Sequence, residues 1–198
     1  MNKKIILAIC GKSSTGKDSL SKWLSKTFDS MHISNNLIIS DTTRPQRTYE
    51  QNGIAYNFID VEDFIHGVSY GEYLEYTKFR GWYYGIHKSE IQDVDVNIAI
   101  VNPQGLRSLI EYKKQYQIIP VYLKDRLLER LLRSRDREGK WRLEYFRRAI
   151  SDWFTFLRIN STLKKFPRTI ILKNENGVVR KTRKIINALR SWRIIAAG

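Results

Sequence analysis

Gly11 and Gly16, with four residues between them and Lys17 directly after, are the residues of this chain best suited to chemistry. The run Gly11-Lys12-Ser13-Ser14-Thr15-Gly16-Lys17 follows the apolar segment Ile5–Cys10 and leads into a helical pattern. A glycine at position 16 lets the backbone curl so that successive N–H groups point inward at phosphate oxygens, at a helix N-terminus whose dipole favours anions. Lys17 then reaches the β- and γ-phosphates, so the segment is expected to cradle a nucleoside triphosphate such as ATP. The next place in such a loop ordinarily carries Ser or Thr for Mg²⁺. This chain has Asp18 there, and the following hydroxyl, Ser19, is rotated about 100° around the helix. A carboxylate beside phosphates is repulsive unless a cation lies between them. Either Asp18 meets Mg²⁺ directly or through its water shell, or the metal side of the site is degraded.

Two further groups of side chains suit anions. Ser40-Asp41-Thr42-Thr43-Arg44-Pro45-Gln46-Arg47, followed by Asn52-Gly53-Ile54-Ala55-Tyr56-Asn57-Phe58, brings two guanidiniums and a tyrosine near one another. Arginine presents a planar fork that matches two phosphate oxygens, and Pro45 stiffens the turn between Arg44 and Arg47, so a second phosphate is their natural partner. Arg126, Arg130, Arg133, Arg135, Arg137, Lys140, Arg142, Arg147 and Arg148 crowd another region. A third basic group, Lys181, Arg183, Lys184, Arg190 and Arg193, falls on a terminal amphipathic pattern and reads as a solvated helix face.

The elements that must position these groups follow an α/β layout. Short, largely non-alternating apolar runs at Ile5–Cys10, Leu37–Ser40, Val96–Val101, Ile118–Leu123 and Thr169–Leu172 read as buried parallel strands. Helices are expected over Lys17–Phe28, Pro103–Tyr116, Asp125–Arg135, Arg142–Lys165 and Val178–Trp192, with Pro103 at a first helical turn. Leu143, Phe146, Ile150, Trp153 and Leu157 recur at three and four residues, an apolar stripe whose expected role is core packing. From Asp41 to His87 the alternation breaks into a Tyr-, Phe-, Thr- and Gly-rich interval, expected to be a small, mostly β lobe holding a second ligand.

The 198 residues, 42% hydrophobic, suffice for one core. A single domain is expected, with a core at about 1–40, 88–124 and 142–198, the lobe at about 41–87 and a lid at about 133–142. No apolar run approaches the roughly 18 residues of a membrane span, and the lone Cys10 reads as packing in a reducing, cytoplasmic setting. The three histidines and one cysteine offer no zinc spacing. A net charge of +15 admits polyanionic small molecules and nucleic acid alike; nucleic acid rests on charge alone and is not favoured.

Taken in order, the motifs resemble the guanylate kinase family of nucleoside monophosphate kinases. The likeness runs from the phosphate loop through S-x-T-T-R-x-x-R and N-G-x-x-Y-x-F to Glu72-Tyr73-Leu74-Glu75-Tyr76 and Gly81-Trp82-Tyr83-Tyr84-Gly85, over roughly residues 5–150. The resemblance implies a parallel sheet flanked by helices, an acceptor lobe and an arginine-rich lid. It implies that Arg44, Arg47, Tyr56 and Tyr84 hold the acceptor phosphate and that Ser40 and Glu75 read the purine. It further implies that Lys17, Arg135 and Arg147 or Arg148 stabilise the transferring phosphoryl group of Mg-ATP. Two positions depart from the family pattern. Ile86 replaces a hydroxyl residue after Tyr84-Gly85, with His87 beside it, and Ile100-Val101-Asn102-Pro103-Gln104-Gly105 lacks the family's strand-end acids, leaving Asn102 to face the base or water. The acceptor therefore stays open between GMP or dGMP, a modified deoxynucleotide and a base-free sugar phosphate such as ribose 1,5-bisphosphate. A third reading is a non-catalytic phosphopeptide-binding module. Oligomeric state leaves no signature.

Overall fold

The first apolar run forms β1 (Ile5–Gly11), and its alternation divides the core. Ile6, Ala8 and Cys10 pack on one face of the central sheet, Leu7 and Ile9 on the other. A strand buried on both faces carries apolar residues at successive positions, which is why the run shows no period of two. The structure, a computed structural model, describes residues 3–48, 50–79, 81–138, 143–173 and 177–195.

β1 is flanked by β7 (Val96–Ile100) and β8 (Gln117–Lys124), with β2 (Asn35–Leu37) beyond β7 and β9 (Ile170–Lys173) beyond β8; all pairs are parallel. α1 (Lys17–Ser30) and α7 (Val178–Ser191) cover one face through Leu20, Leu24, Phe28, Ile185 and Leu189. α3 (Pro103–Ser108) and α6 (Ile159–Leu163) cover the other through Leu106, Ile159 and Leu163. In such a sheet ligands bind at the carboxyl ends of the strands where strand order reverses, and the turn after central β1 lies there.

The interval after β2 builds a second sheet of β3 (Asp41–Thr42), β4 (Asn57–Phe58), β5 (Tyr73–Phe79) and β6 (Trp82–His87), in the order β4-β3-β6-β5. It also holds a helix absent from the sequence reading, α2 (Val61–Ser69). Phe64, fully buried on α2, stacks on Tyr73 at 4.5 Å and Tyr83 at 5.3 Å between ring centroids. Aromatic packing onto the sheet, rather than helix propensity, holds this short helix.

Other differences have local causes. The second strand begins two residues earlier than expected, because Asn35 and Asn36 satisfy their amides on Ser25, Asp29, Glu90 and Asn97 while the chain leaves the sheet after Ile38. The helix expected to Tyr116 tightens into a 3₁₀ turn over Leu109–Lys114. α4 spans Leu127–Glu138. The expected lid beyond position 138, with Lys140 and Arg142, lies outside the described residues, as does the Arg137 side chain. The long helix expected to Lys165 divides into α5 (Leu143–Thr155) and α6.

The α5 stripe corrects the expectation of core packing: Leu143, Phe146, Ile150, Trp153 and Leu157 are between 48% and 83% exposed. The helix turns its polar face, with Asp152 and Arg148, inward instead, and Phe156, off the stripe, enters the core against Tyr122. Among the described residues no helix is long and apolar enough to cross a membrane. Ile150→Ala should change the free energy of unfolding by no more than about 0.5 kcal/mol, whereas Phe156→Ala should cost about 3–5 kcal/mol. Urea unfolding of the two variants measures both, and a costly Ile150→Ala would contradict the outward orientation of the stripe.

Candidate active site

The phosphate loop turns from β1 into α1 through Gly16, whose φ of +82° would strain any side chain and whose carbonyl accepts the first helical bond, from Leu20. What sets the loop is the fate of its carbonyls. Lys17 Nζ donates to Gly11 O at 2.9 Å and Lys12 O at 3.3 Å. Arg130 Nη1 donates to Ser13 O at 3.2 Å, Arg133 Nη1 to Ser14 O at 3.2 Å, and Lys181 Nζ to Thr15 O at 3.1 Å. Every carbonyl from Gly11 to Thr15 thus meets a cation, supplied by α1, α4 or α7. Carbonyls held by cations fix the loop's peptide planes; of the loop N–H groups, that of Ser13 goes to Asp152 at 2.8 Å and that of Thr15 to Lys12 O at 3.4 Å.

Two carboxylates anchor these cations. Asp125, its side chain fully buried, pairs with Arg133 and lies 3.5 Å from Lys181. Asp152 on α5 accepts from Arg130 at 2.8 Å and also from the loop itself, from Ser13 N–H at 2.8 Å and Ser13 Oγ at 3.2 Å. Ser14 Oγ reaches Ser134 Oγ on α4 at 2.6 Å. Lys181 corrects the reading of α7 as carrying only solvated charge: it is 6% exposed, with its ammonium under the loop.

Across from the loop, a cleft of about 480 Å³ is lined by Asp18, Arg44, Arg47, Glu50, Tyr56 and Tyr84 among others. A neighbouring cleft of about 400 Å³ joins Ser13, Arg148 and Asp152 to Arg44, Arg47 and Tyr84. The expected acceptor arginines therefore share one space with the loop. Arg44 stacks 5.4 Å from the ring centroids of both Tyr56 and Phe58 and donates to Glu50 Oε1 at 2.9 Å. Arg47 gives its backbone N–H to Glu50 Oε2 at 3.0 Å, and its guanidinium lies 3.8 Å from the same carboxylate. Burial alone would raise the Glu50 carboxyl; the Arg44 hydrogen bond, with Arg47 behind it, holds it below the ordinary range. Burial, with the Asp18 carboxylate adding to it, pushes the Tyr56 phenol up to about 12, so the group stays a hydrogen-bond donor.

Glu75 lies on β5, 7% exposed, and its Oε2 has no partner among the described residues. Burial pushes its carboxyl up to about 8. Gly105 at the start of α3 lies so close that an added Cβ would run into the Glu75 carboxylate. Ile86 stands opposite Glu75 in the β5–β6 ladder and is fully buried, an apolar wall beside the carboxylate. Thr77 Oγ1 bonds Gln104 Oε1 at 3.0 Å and fixes α3 on β5.

The remaining expected residues are placed less centrally. Asn102 Oδ1 caps α3 by accepting from Gly105 N–H at 2.8 Å, so its oxygen serves the turn that confines Glu75. Ser40 gives its carbonyl to Asn57 N–H at 3.0 Å. Ser19 is exposed on the first turn of α1. Arg135 donates to its neighbour Asp136 at 3.0 and 2.8 Å, while Arg148, not exposed Arg147, lines the cleft. His87 turns to Ser89 and Glu72. Sequence reasoning missed Glu50, Asp125, Asp152 and the inward role of Lys181. The signal for Lys181 was its spacing of four and eight from Ile185 and Leu189 on the buried face of α7.

A phosphate loop at the end of a central parallel strand, facing a smaller sheet that bears paired arginines and a buried carboxylate, defines the nucleoside monophosphate kinase class. The guanylate kinase family model matches residues 1–158. A guanylate kinase of Thermotoga maritima is 27% identical over 93% of this chain and 94% of its own. One from Rickettsia prowazekii is 31% identical over 86% of this chain and 92% of its own. The crystal structure of guanylate kinase from Anaplasma phagocytophilum superposes with a TM-score of 0.62 at 19% identity, covering 99% of this chain and 90% of that one, a likeness of fold. The chain belongs to the guanylate kinase family.

Lys181→Ala would leave buried Asp125 with only Arg133. The variant should lose about 3 kcal/mol of stability, and, below its melting point, should bind ATP several-fold more weakly. Thermal melts and calorimetric titration give the two values; wild-type affinity in a folded Lys181→Ala protein would detach this lysine from the loop.

Proposed function

We propose that this chain transfers the γ-phosphoryl group of ATP to GMP or dGMP. The observation that carries the reading is the buried carboxylate of Glu75 on β5 of the smaller sheet, whose Oε2 has no partner among the described residues. A carboxylate accepts guanine N1–H and the exocyclic amino group together, whereas adenine offers no such donor pair and a base-free sugar phosphate offers none. An unsatisfied buried acceptor is costly until such donors arrive. A phosphopeptide would equally leave it unpaired, and family membership does not favour that module.

In this reading Arg44, Arg47, Tyr56 and Tyr84 hold the acceptor phosphate, with Glu50 keeping both guanidiniums aligned. Ser40 assists at the base, and Asn102 acts through the α3 cap that confines Glu75. Loop N–H groups of Gly11–Ser19 and Lys17 hold the triphosphate. Lys17 and the lid-side Arg135 and Arg148 stabilise charge on the transferring oxygens as the acceptor phosphate attacks in line. That phosphate is already a charged nucleophile, so positioning and electrostatics supply the rate and no general base is needed.

Asp18, an exposed carboxylate at the α1 N-terminus lining the cleft, fits the hard-oxygen preference of Mg²⁺, which binds through one or two carboxylates plus phosphate oxygens. Asp18 would hold the ion or its water shell, and when bound the ion neutralises charge on the β- and γ-oxygens. A reducing, cytoplasmic setting suits Cys10, a buried thiol pushed up to about 12 by desolvation.

Lys17→Ala should remain folded and lose ADP formation from ATP and GMP by at least about a hundredfold; a fully active variant would sink the mechanism. Glu75→Gln should raise KM for GMP roughly ten- to hundredfold, the worth of charge-assisted bonds. Because burial places the Glu75 carboxyl at about 8, the guanine-accepting carboxylate is scarce at low pH. KM for GMP should therefore fall as pH rises from about 6 toward 8, by up to about tenfold per unit, with a proton released on binding. The same profile should be flat in Glu75→Gln, and a flat wild-type profile would remove Glu75 from base recognition.

A further inference from the structure

Asp152 presents a negative charge where the loop is built to receive one. Its carboxylate takes Ser13 N–H at 2.8 Å, Ser13 Oγ at 3.2 Å and the guanidinium of Arg130 at 2.8 Å. Arg130 in turn is 5% exposed and holds Ser13 O at 3.2 Å. Lys12, directly after Gly11 in the loop, also feels Asp152, which offsets part of the effect that burial and Arg130 have in lowering its basicity. The carboxylate is not tucked behind these groups. It lines the cleft of about 400 Å³ together with Ser13, Arg44, Arg47, Tyr84 and Arg148. An N–H of the phosphate loop, a loop hydroxyl and, behind them, a buried arginine are the donors a phosphate oxygen would use.

Resting on the ATP-binding reading above, the geometry points to Asp152 as an internal anion that occupies the donor-phosphate side of the cleft in the empty protein and yields when a polyphosphate enters. Two negative groups cannot share the Ser13 and Arg130 donors, so binding of triphosphate and retention of the Asp152 contact exclude one another. The clasp sits on the polar face of α5, four residues after Arg148 on the same face, so releasing Asp152 frees the helix that carries Arg148. Filling of the donor site is thereby coupled to movement of a cleft arginine. Until the polyphosphate arrives, the same carboxylate keeps buried Arg130 paired.

Removing the Asp152 charge should strengthen ligand binding. Asp152→Asn should bind inorganic tripolyphosphate, and ATP, about tenfold more tightly than the wild type by calorimetric titration, the scale of one charge-assisted hydrogen bond. The empty variant should melt below the wild type, since Arg130 loses its partner, and saturating tripolyphosphate should close that gap because its oxygens replace the carboxylate. Asp152→Ser gives the same two readings should the amide variant not fold. Equal or weaker tripolyphosphate binding, or a melting gap that persists unchanged at saturation, would make Asp152 a fixed brace of α5 and overturn the proposal. A wild-type protein that binds neither ATP nor tripolyphosphate would overturn the nucleotide reading, and the proposal with it.

Discussion

Five consecutive backbone carbonyls, from Gly11 to Thr15, are captured by the side chains of Lys17, Arg130, Arg133 and Lys181, and the rest of the site depends on that capture. A peptide plane has two sides: when its oxygen is held outward, its N–H is presented the other way. Cations fixed in place before ligand arrives set the loop's peptide planes in advance, and preorganised dipoles are the condition under which electrostatic stabilisation is most effective. The arrangement also explains part of the chain's basic balance. Arg130 and Lys181, two of the most buried charges, serve the loop's own backbone and not a diffuse surface field.

Those cations come from distant parts of the chain, so loop geometry and domain packing are one problem. α1 supplies Lys17, α4 supplies Arg130 and Arg133, and α7 supplies Lys181, with Asp125 at the end of β8 tying two of them together. The smaller sheet and its loops use the same device at smaller scale. Glu50 draws Arg44 and Arg47 toward one point while the rings of Tyr56 and Phe58 support the Arg44 guanidinium. Glu75 is treated in the opposite way: Ile86, Gly105 and the α3 cap enclose it without offering its Oε2 a partner. Paired charges line the cleft, whereas the buried Glu75 carboxyl is held apart from any such pair.

Most of the fold was legible because strand burial and phosphate-loop chemistry are local. β1, β7, β8 and β9 lie within a residue or two of their apolar runs, and Gly16-Lys17 marks the start of α1. What escaped depends on tertiary partners. α2 is held by Phe64 on a tyrosine-bearing sheet, which composition alone rendered as β. The apolar stripe of α5 read as core because periodicity reports amphipathicity and not which face turns inward; the ties of Asp152 to Ser13 and Arg130 decide that. The paired arginines and Glu75 were legible through motif order. Asp125, Asp152 and Lys181 were not, since a single charge gains meaning only when the fold sets its partner, between 8 and 166 residues away, beside it.

A cation-braced loop that delivers phosphate to an acceptor whose base is read by one buried carboxylate must discriminate among acceptors by their base. The most direct measurement is ADP production from Mg-ATP with GMP, dGMP, AMP, dTMP, dCMP and ribose 1,5-bisphosphate offered one at a time. Turnover confined to the guanine nucleotides is the predicted result. Comparable turnover with AMP or ribose 1,5-bisphosphate would contradict it, since neither can place two donors on Glu75.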